Sequence, residues 1–526
     1  MTFQKLHLGI ELGSTRVKAV LVNNDLEVVA SGVHEWQNNL INGVWTYDLE
    51  DVWISIQTTY NNLKENYFNN HNVKLTSISS IGISAMMHGY LALDKYDNLL
   101  TPFRTWRNTI TESAAYILTN EFLFNIPQRW SIAHLYQSIL NNESHVNDIS
   151  YLTTLAGYVH YKLSGKKVLG IGDASGMFPI DSTIGNYNKT MMNQFNCGIQ
   201  PYNFKWTLNK ILPKILSAGE CAGYLSKDGA LLLDPSGELQ EGIPLCPPEG
   251  DAGTGMVATN SIDIHTGNIS AGTSVFSMIV LEKELSNVYP EIDVVNTPTG
   301  KPVAMVHCNN CTSDINEWIK LFREVNCLFG NEISEDELYS KLFNSAMDAK
   351  VSTKGLVHYN YYSGESITEV DDGRPLFIRT PNSELSLGNF MRSLLYSSIA
   401  TLKIGMDILI ESEGIKLNQL LGHGGLFKTK GVGQTILTSA LDTLIAVNET
   451  AGEGGAWGMA ILASYMCNRE KYDTLNDYLS NKVFKNNVIE VIEPDKNIQY
   501  DFNQYMKEYM SCLDVEKVAI RKLIRE

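Results

Sequence analysis

The sequence is poor in positive charge, in cysteine and in long apolar runs. Lys and Arg number 41 against 58 Asp and Glu, so the formal charge of −17 opposes binding to nucleic acid or to an anionic membrane. Eight cysteines in 526 residues are too few for a disulfide scaffold, and Cys308 and Cys311 lack a second pair to complete a zinc site. We expect no stretch of the apolar length needed to span a bilayer and no signal sequence at the N-terminus. We therefore expect a cytoplasmic protein without nucleic-acid or membrane partners.

The chain is long enough to require more than one hydrophobic core. With 44% hydrophobic, 19% charged and 10% aromatic residues, its composition is that of a soluble globular protein. Helical and strand patterns alternate: they predict a helix capped by Asp48, a strand at 78–83, a helix at 390–410 and a strand at 420–422. The sequence therefore predicts an α/β fold. A Pro-Pro-Glu-Gly stretch favours two domains, 1–248 and 249–526, with the last segment packing on either one.

Two similar hairpins stand about half a chain apart. Strand patterns at 6–12 and 17–22 flank a turn, and the pattern returns at 267–280. Amide and hydroxyl groups of such turns form concavities that bind anions, so two turns could grip one polyphosphate, although any tight turn between strands has this appearance. The candidate phosphate-binding residues are Gly13, Ser14, Thr15 and Lys18 in the first hairpin and Gly272, Thr273 and Ser274 in the second.

The charged positions distinguish the two hairpins. The first carries Glu11 and Lys18 where, in the aligned sequence, the second has Ser270 and Ser277. A magnesium–nucleotide site needs one nearby carboxylate, usually acting through water, so Glu11 is the candidate metal residue. The alternative is that Glu11 and Lys18 are ordinary polar positions on a half-solvated hairpin.

Asp251 is the candidate catalytic carboxylate. It lies between glycines at the predicted start of a helix, where the helix N-terminus is expected to keep it ionised and able to accept a proton from a hydroxyl group. A capping aspartate is the alternative interpretation.

Further candidates come from small-residue and aromatic segments. Glycines permit close approach of the backbone to a flat purine ring, whereas an aromatic ring with polar neighbours is a common way to hold a sugar. The candidate nucleotide residues are Gly424, Gly425, Gly454 and Gly455, and the candidate sugar residues are Met87, His88, Trp106, Asn108 and Asp251. Turns, packed helices and a core histidine are the alternatives.

Taken in order, these segments resemble the FGGY family of carbohydrate kinases, in the actin-like ATPase superfamily. The similarity rests on 9–18 for the first phosphate motif, 250–251 for the base, 272–274 for the second phosphate motif, and 424–425 with 453–460 for the nucleotide end. Three further segments extend the similarity over almost the whole chain: 173–176, 219–223 and 362–365.

The resemblance implies two ribonuclease-H-like domains around a cleft, the first binding sugar and the second ATP with Mg²⁺. It implies a kinase that transfers the γ-phosphate to a sugar hydroxyl, with Asp251 as base. Met87-His88-Gly89 resembles the sequence of the xylulose kinases in the family, so a ketopentose is expected. Family analogy allows a homodimer.

Three departures from the family pattern leave alternatives open. Met86 replaces the usual Gln, residues 106–110 lack the acid and final base of the family pattern, and Glu11 replaces the usual Asp. The alternatives are a kinase for another ketose or polyol, or a sugar- and nucleotide-binding sensor with little turnover.

Overall fold

A computed structural model describes residues 5–348, 350–447, 454–487 and 490–524. The chain forms two compact units, and each is built from three separate stretches of the sequence. The first unit consists of Met1–Asp263, Glu282–Val303 and Thr450–Asn486, and the second of Ile264–Leu281, Ala304–Glu449 and Asn487–Glu526. The predicted boundary at 248 and 249 lies inside the first of these segments, and the predicted α/β class is confirmed.

Strands and helices alternate along the described residues. The strands are β1 (His7–Leu12), β2 (Arg16–Val22), β3 (Val28–Glu35), β4 (Asn39–Ile41), β5 (Val44–Thr46), β6 (Ser80–Ala85), β7 (Leu91–Leu93), β8 (Tyr151–Thr153), β9 (Val168–Gly170), β10 (Ile180–Asp181), β11 (Asn186–Tyr187), β12 (Lys214–Leu216), β13 (Gly223–Tyr224), β14 (Pro244–Leu245), β15 (Glu249–Gly250), β16 (Thr266–Ala271), β17 (Val275–Val280), β18 (Ile292–Asn296), β19 (Pro302–Cys308), β20 (Leu356–Tyr359), β21 (Leu376–Arg379), β22 (Gln419–His423), β23 (Ile445–Val447) and β24 (Glu490–Ile492). The α-helices are α1 (Leu49–His71), α2 (Glu112–Phe122), α3 (Ser131–Leu140), α4 (Leu155–Ser164), α5 (Ile171–Ser175), α6 (Lys189–Gly198), α7 (Leu208–Ile211), α8 (Lys227–Leu233), α9 (Asp251–Ala258), α10 (Ser313–Leu328), α11 (Glu335–Ser345), α12 (Leu387–Asp407), α13 (Val432–Leu441), α14 (Gly454–Asn468), α15 (Leu475–Tyr478) and α16 (Lys496–Lys522).

The first unit is organised around a sheet with strand order β13-β14-β6-β1-β2-β3, in which β15 also pairs with β6. Strand β1 is antiparallel to β2 and parallel to β6. All residues of β6 are buried, as expected of a strand covered on both faces. The predicted helix is also confirmed: Asp48 accepts a hydrogen bond from the Glu50 amide, and α1 buries one apolar face of Val52, Ile56 and Leu63.

Helix α14 returns late in the chain to pack on β1 of the first unit. The approach is so close that a Cβ atom at Gly9 would lie 2.1 Å from the Ala456 carbonyl oxygen. Glycine is therefore required where this helix crosses the strand.

The second unit repeats the strand arrangement of the first. Its sheet includes the order β19-β17-β16-β22-β23-β24, with β16 antiparallel to β17 and parallel to β22. Thus β16, β17 and β22 stand in the same relation as β1, β2 and β6. Leu12 pairs with Val17 across the first turn and Ala271 with Val275 across the second, so the second loop is one residue shorter.

The expectation that no segment has the apolar length to cross a bilayer was wrong for one helix. Among the described residues, the helical segment Leu387–Ser412 is long and apolar enough to cross a membrane, judged by length and composition alone. However, 72% of its most apolar window is buried inside the protein. A core helix of a soluble protein has the same properties, so this helix is weak evidence for a membrane span.

Candidate active site

Asp251 is the first residue of α9 and follows β15 directly. Gly250 occupies the capping position, so Asp251 does not cap the helix. Its Oδ1 accepts hydrogen bonds from the amides of Met87 at 3.1 Å and Ala252 at 2.9 Å. Burial nevertheless raises the pKa of Asp251, an effect that these amides oppose but do not cancel. The helix N-terminus was expected to keep this carboxylate ionised; burial acts against that effect, and the ionised state stays a prediction.

Glu11 lies on β1, in the same unit as Asp251. Its Oε2 accepts a hydrogen bond from the Ala456 amide at 3.2 Å, next to Gly455 at the start of α14. Burial, followed by the nearby charge of Asp251, raises the pKa of Glu11 to about 7. Lys18 is its direct neighbour across β1 and β2, and its charge acts in the opposite direction. The charge of Asp251 thus acts on Glu11 within the first unit.

Two aromatic side chains donate hydrogen bonds to the carbonyl groups of the first turn. Trp36 Nε1 donates to the Gly13 carbonyl at 2.8 Å, and the Tyr47 hydroxyl donates to the Ser14 carbonyl at 2.6 Å. The amides of Ser14 and Thr15 form no hydrogen bond within the described part of the chain. The carbonyl groups are thus occupied while these amides remain able to bind an anion.

Met87 and His88 follow the buried strand β6. His88 adopts a left-handed backbone conformation with φ 68°, which is uncommon outside glycine. Its Nδ1 lies 3.2 Å from the Gly176 carbonyl, which assigns the proton to Nδ1 and leaves Nε2 as an acceptor. Burial lowers the pKa of His88 to about 3, so the ring is neutral. The adjacent Met87 amide holds Asp251, which brings two predicted sugar residues to the predicted base.

Trp106 and Asn108 occupy different environments. Trp106 is partly exposed, and its Nε1 donates to Ser14 Oγ at 3.2 Å, which links the predicted sugar segment to the first turn. Asn108 is buried, and its amide bonds to both backbone groups of Trp45 and to the Thr105 carbonyl. Asn108 therefore shapes this loop, and its contact with a sugar stays a prediction.

Two buried acids beside Asp251 were not predicted as site residues. Glu249 accepts hydrogen bonds from the Asp173 amide at 2.9 Å and the Gly172 amide at 3.4 Å. Burial raises the pKa of both carboxyl groups to about 8, and the charge of Asp173 adds to this effect at Glu249, as that of Asp251 does at Asp173. The Asp173-Ala174-Ser175-Gly176 similarity was the available signal, but no sequence pattern pairs Asp173 with Glu249.

The second turn lies at the end of β16 in the second unit. Its two carbonyl groups accept from the residues after β19: Cys311 N donates to Thr273 O at 2.9 Å, and Thr312 N donates to Gly272 O at 3.0 Å. Thr312 Oγ1 adds a bond to the same Gly272 carbonyl at 2.7 Å. The amides of Thr273 and Ser274 form no hydrogen bond within the described residues. This turn therefore also presents unpaired amides.

The four nucleotide-site glycines are divided between the units. Gly424 follows β22 with φ 103°, and a Cβ atom there would lie 2.5 Å from the Ala271 carbonyl, so glycine is required beside the second turn. Gly425 continues this segment. Gly454 and Gly455 instead begin α14 beside Glu11 in the first unit. Residue Glu453, part of the similarity at this end, lies outside the described residues.

Comparisons with known proteins agree with this architecture. The model for "FGGY family of carbohydrate kinases, N-terminal domain" matches residues 6–257, and that for the C-terminal domain matches 267–467. Xylulose kinase of Haemophilus influenzae is 23% identical over 88% of this chain and 90% of that protein.

Solved structures share the fold. Ligand-bound xylulose kinase from Lactobacillus acidophilus has a TM-score of 0.80 at 15% identity, covering 99% of this chain and 100% of that one. Gluconate kinase from the same organism has a TM-score of 0.78 at 16% identity, covering 97% and 98%. Identities this low show the fold alone.

Proposed function

We propose that this chain, which belongs to the FGGY family of carbohydrate kinases, transfers the γ-phosphate of ATP to a hydroxyl group of a xylulose-like ketopentose. The family consists of sugar phosphotransferases that use ATP. The observation that carries the substrate proposal is the hydrogen bond from Met87 to Asp251, which joins the xylulose-kinase-like Met-His-Gly sequence to the base. The names of curated relatives support the same substrate class.

Asp251 is the proposed general base. Its Oδ1 is occupied by two amides, whereas its Oδ2 forms no hydrogen bond within the described residues. Oδ2 takes the proton of the sugar hydroxyl as that oxygen attacks the γ-phosphorus, and ADP leaves with the electrons of the broken P–O bond. The raised pKa of Asp251 makes it a stronger base than an exposed aspartate.

Met87, His88, Trp106 and Asn108 are the proposed sugar residues. The neutral His88 ring keeps Nε2 as an acceptor for a second sugar hydroxyl, because Nδ1 is engaged with Gly176. The partly exposed Trp106 ring offers an apolar face for stacking against the sugar. The left-handed backbone at His88 fixes the direction of its side chain and so restricts which sugars fit.

Two turns are the proposed phosphate sites. The free amides of Ser14, Thr15, Thr273 and Ser274 suit phosphate oxygens, with Lys18 and Gly272 completing the set. Gly13, Gly424, Gly425, Gly454 and Gly455 are proposed to allow close approach of the nucleotide.

Glu11 is the proposed magnesium residue. Mg²⁺ prefers oxygen ligands and usually binds through one or two carboxylates and the substrate phosphates, which the Glu11 carboxylate fits through a bridging water. When bound, the ion neutralises charge on the phosphates. In the described part of the chain, no group of three or more acidic, His or Cys side chains forms a metal cage.

A panel of substrates tests the proposal. Purified protein is incubated with Mg-ATP and xylulose, ribulose, fuculose, gluconate or glycerol, and sugar-dependent ADP release is followed. We expect the highest kcat/KM with xylulose. A higher value for another substrate contradicts the specificity alone. Tight sugar binding without any phosphorylated product favours a sugar- and nucleotide-binding sensor.

The remaining expectations stay predictions. They are a cytoplasmic location, a homodimer, and the absence of nucleic-acid and membrane partners. Sedimentation of the purified protein checks the oligomeric state.

A further inference from the structure

Residues 309–312 form a short support behind the second turn. Within the second unit, this support donates the amides of Cys311 and Thr312 to the carbonyl groups of Thr273 and Gly272. The direction of the free amides in the turn depends on where these carbonyls are held, because each peptide plane is rigid. Whatever fixes the support therefore fixes the proposed phosphate site.

Glu365 fixes the support through its carboxylate. Its Oε2 accepts three hydrogen bonds: from the Asn309 amide at 2.9 Å, the Asn310 amide at 3.3 Å and the Asn310 side chain at 3.2 Å. Glu365 and Asn310 are 0% and 2% exposed. A carboxylate that accepts several N–H groups away from water holds them more strongly than an exposed one does.

The side-chain oxygen of Asn310 also connects the support to the segment that precedes Glu365. Its Oδ1 accepts from the amides of Tyr362 at 2.8 Å and Ser363 at 3.1 Å. Asn360 adds a bond from its side chain to the Cys311 carbonyl at 2.9 Å. The support is thus tied at three successive residues to the segment that leads from β20 to Glu365.

This arrangement is energetically unfavourable if the support serves only to connect β19 to α10. Burial raises the pKa of Glu365 to about 7, which shows that removing its charge from water is unfavourable. An exposed turn would satisfy the same amides with water. Rigid placement of amide donors is what binding and transition-state stabilisation of phosphate require.

We propose that Glu365, together with Asn310, is a positioning residue that sets the affinity of the second turn for the nucleotide phosphates without touching them. The proposal rests on the proposed function only in taking ATP as the ligand. It assigns Glu365 no contact with the sugar and no part in proton transfer.

Three variants test this role. Glu365→Met keeps the side-chain length but removes the acceptor, and Glu365→Gln restores one acceptor oxygen. Glu516→Met is the matched control: Glu516 is also 0% exposed in the second unit and accepts a backbone bond, from Arg374 N at 2.7 Å, but it does not contact the support. Calorimetry with Mg-ADP, the KM for ATP and for xylulose, and thermal unfolding are measured for each.

We expect Glu365→Met to raise the Kd for Mg-ADP and the KM for ATP about tenfold or more, with the KM for the sugar changed less than about twofold. Glu365→Gln should return the Kd to within about threefold of the wild type. Glu516→Met should lower thermal stability but leave nucleotide binding unchanged. If Glu365→Met does not fold, Asn310→Ala is measured in its place. It should likewise raise the Kd for Mg-ADP and the KM for ATP while changing the KM for the sugar less.

The proposal is overturned if Glu365→Met binds Mg-ADP normally, if Glu516→Met weakens binding equally, or if the KM for the sugar rises in parallel. Calorimetry needs no turnover. A wild-type protein that phosphorylates no sugar would therefore contradict the proposed function while leaving this comparison decisive.

Discussion

The two turns present free amides in the same way but are built with different supports. In the first, the side chains of Trp36 and Tyr47 hold the turn carbonyls, whereas in the second the backbone amides of Cys311 and Thr312 do so, together with the Thr312 hydroxyl. Both satisfy the carbonyl groups from inside the protein, since a buried carbonyl group without a partner is unfavourable. The two turns thus meet the same requirement with similar glycine and hydroxyl residues but with different supporting residues.

The one-residue difference in loop length changes what lies across each hairpin. Glu11 pairs with Lys18, but Ser270 pairs with Phe276 rather than with Ser277. The sequence alignment of Lys18 with Ser277 is therefore not a structural equivalence. It follows that the charged pair belongs to the first hairpin alone, and the first unit also contains Asp251.

The largest expected effect tests whether proton transfer belongs to the first unit. Asp251→Asn retains an oxygen for the Met87 and Ala252 amides but loses the base. We expect kcat to fall about 10²- to 10⁴-fold, with the Kd for Mg-ADP changed less than about twofold. Steady-state kinetics and calorimetry measure these values. A variant with full activity would show that the base lies elsewhere.

The next effect separates the charged hairpin from the neutral one. Glu11→Gln removes the proposed magnesium carboxylate, so kcat/KM for ATP should fall about tenfold or more and the Mg²⁺ concentration for half-maximal activity should rise. Ser270→Ala, at the aligned position of the second hairpin, should change either value less than about twofold. An identical magnesium titration for wild type and Glu11→Gln would contradict the assignment.

A smaller effect compares the two supports directly. Tyr47→Phe and Thr312→Val each remove one hydroxyl donor to a turn carbonyl. Each should raise the KM for ATP about two- to tenfold, since a single hydrogen bond is lost. Tyr60→Phe is the control, because the buried Tyr60 hydroxyl has no hydrogen-bond partner among the described residues. If only one support matters, one of the two variants will match this control.

The smallest effect concerns stability and pH. The pKa of Glu249 rises from its ordinary value of 4.5 to about 8 in the folded protein, so the folded state binds more protons than the unfolded state between these values. The free energy of unfolding should therefore fall as pH rises from 4.5 to 8.

In Glu249→Gln that fall should be smaller by about 1 kcal/mol or more, as measured by urea unfolding at several pH values. Glu365→Gln in the second unit should flatten the curve only up to about pH 7. Parallel curves for wild type and Glu249→Gln would show that this carboxyl group is not protonated in the folded protein.

Local patterns in the sequence predicted the hairpins, the capped helix after Asp48 and the position of Asp251. These features depend on alternation, spacing and turn chemistry, which neighbouring residues determine. Trp36, Tyr47, Glu249 and Glu365 were missed because their partners are distant in sequence. Gly455 was assigned to the nucleotide end, yet it lies beside Glu11, which only the packing of α14 on β1 reveals.

Because α14 packs on β1, the first unit cannot be completed until late in protein synthesis. Residues 7–12 leave the ribosome early, but the helix that covers Gly9 and supplies the Ala456 amide to Glu11 is translated more than four hundred positions later. During that interval the nascent first unit lacks both the helix that covers Gly9 and the amide partner of Glu11. A message truncated before codon 454 would yield a product that lacks this cover permanently.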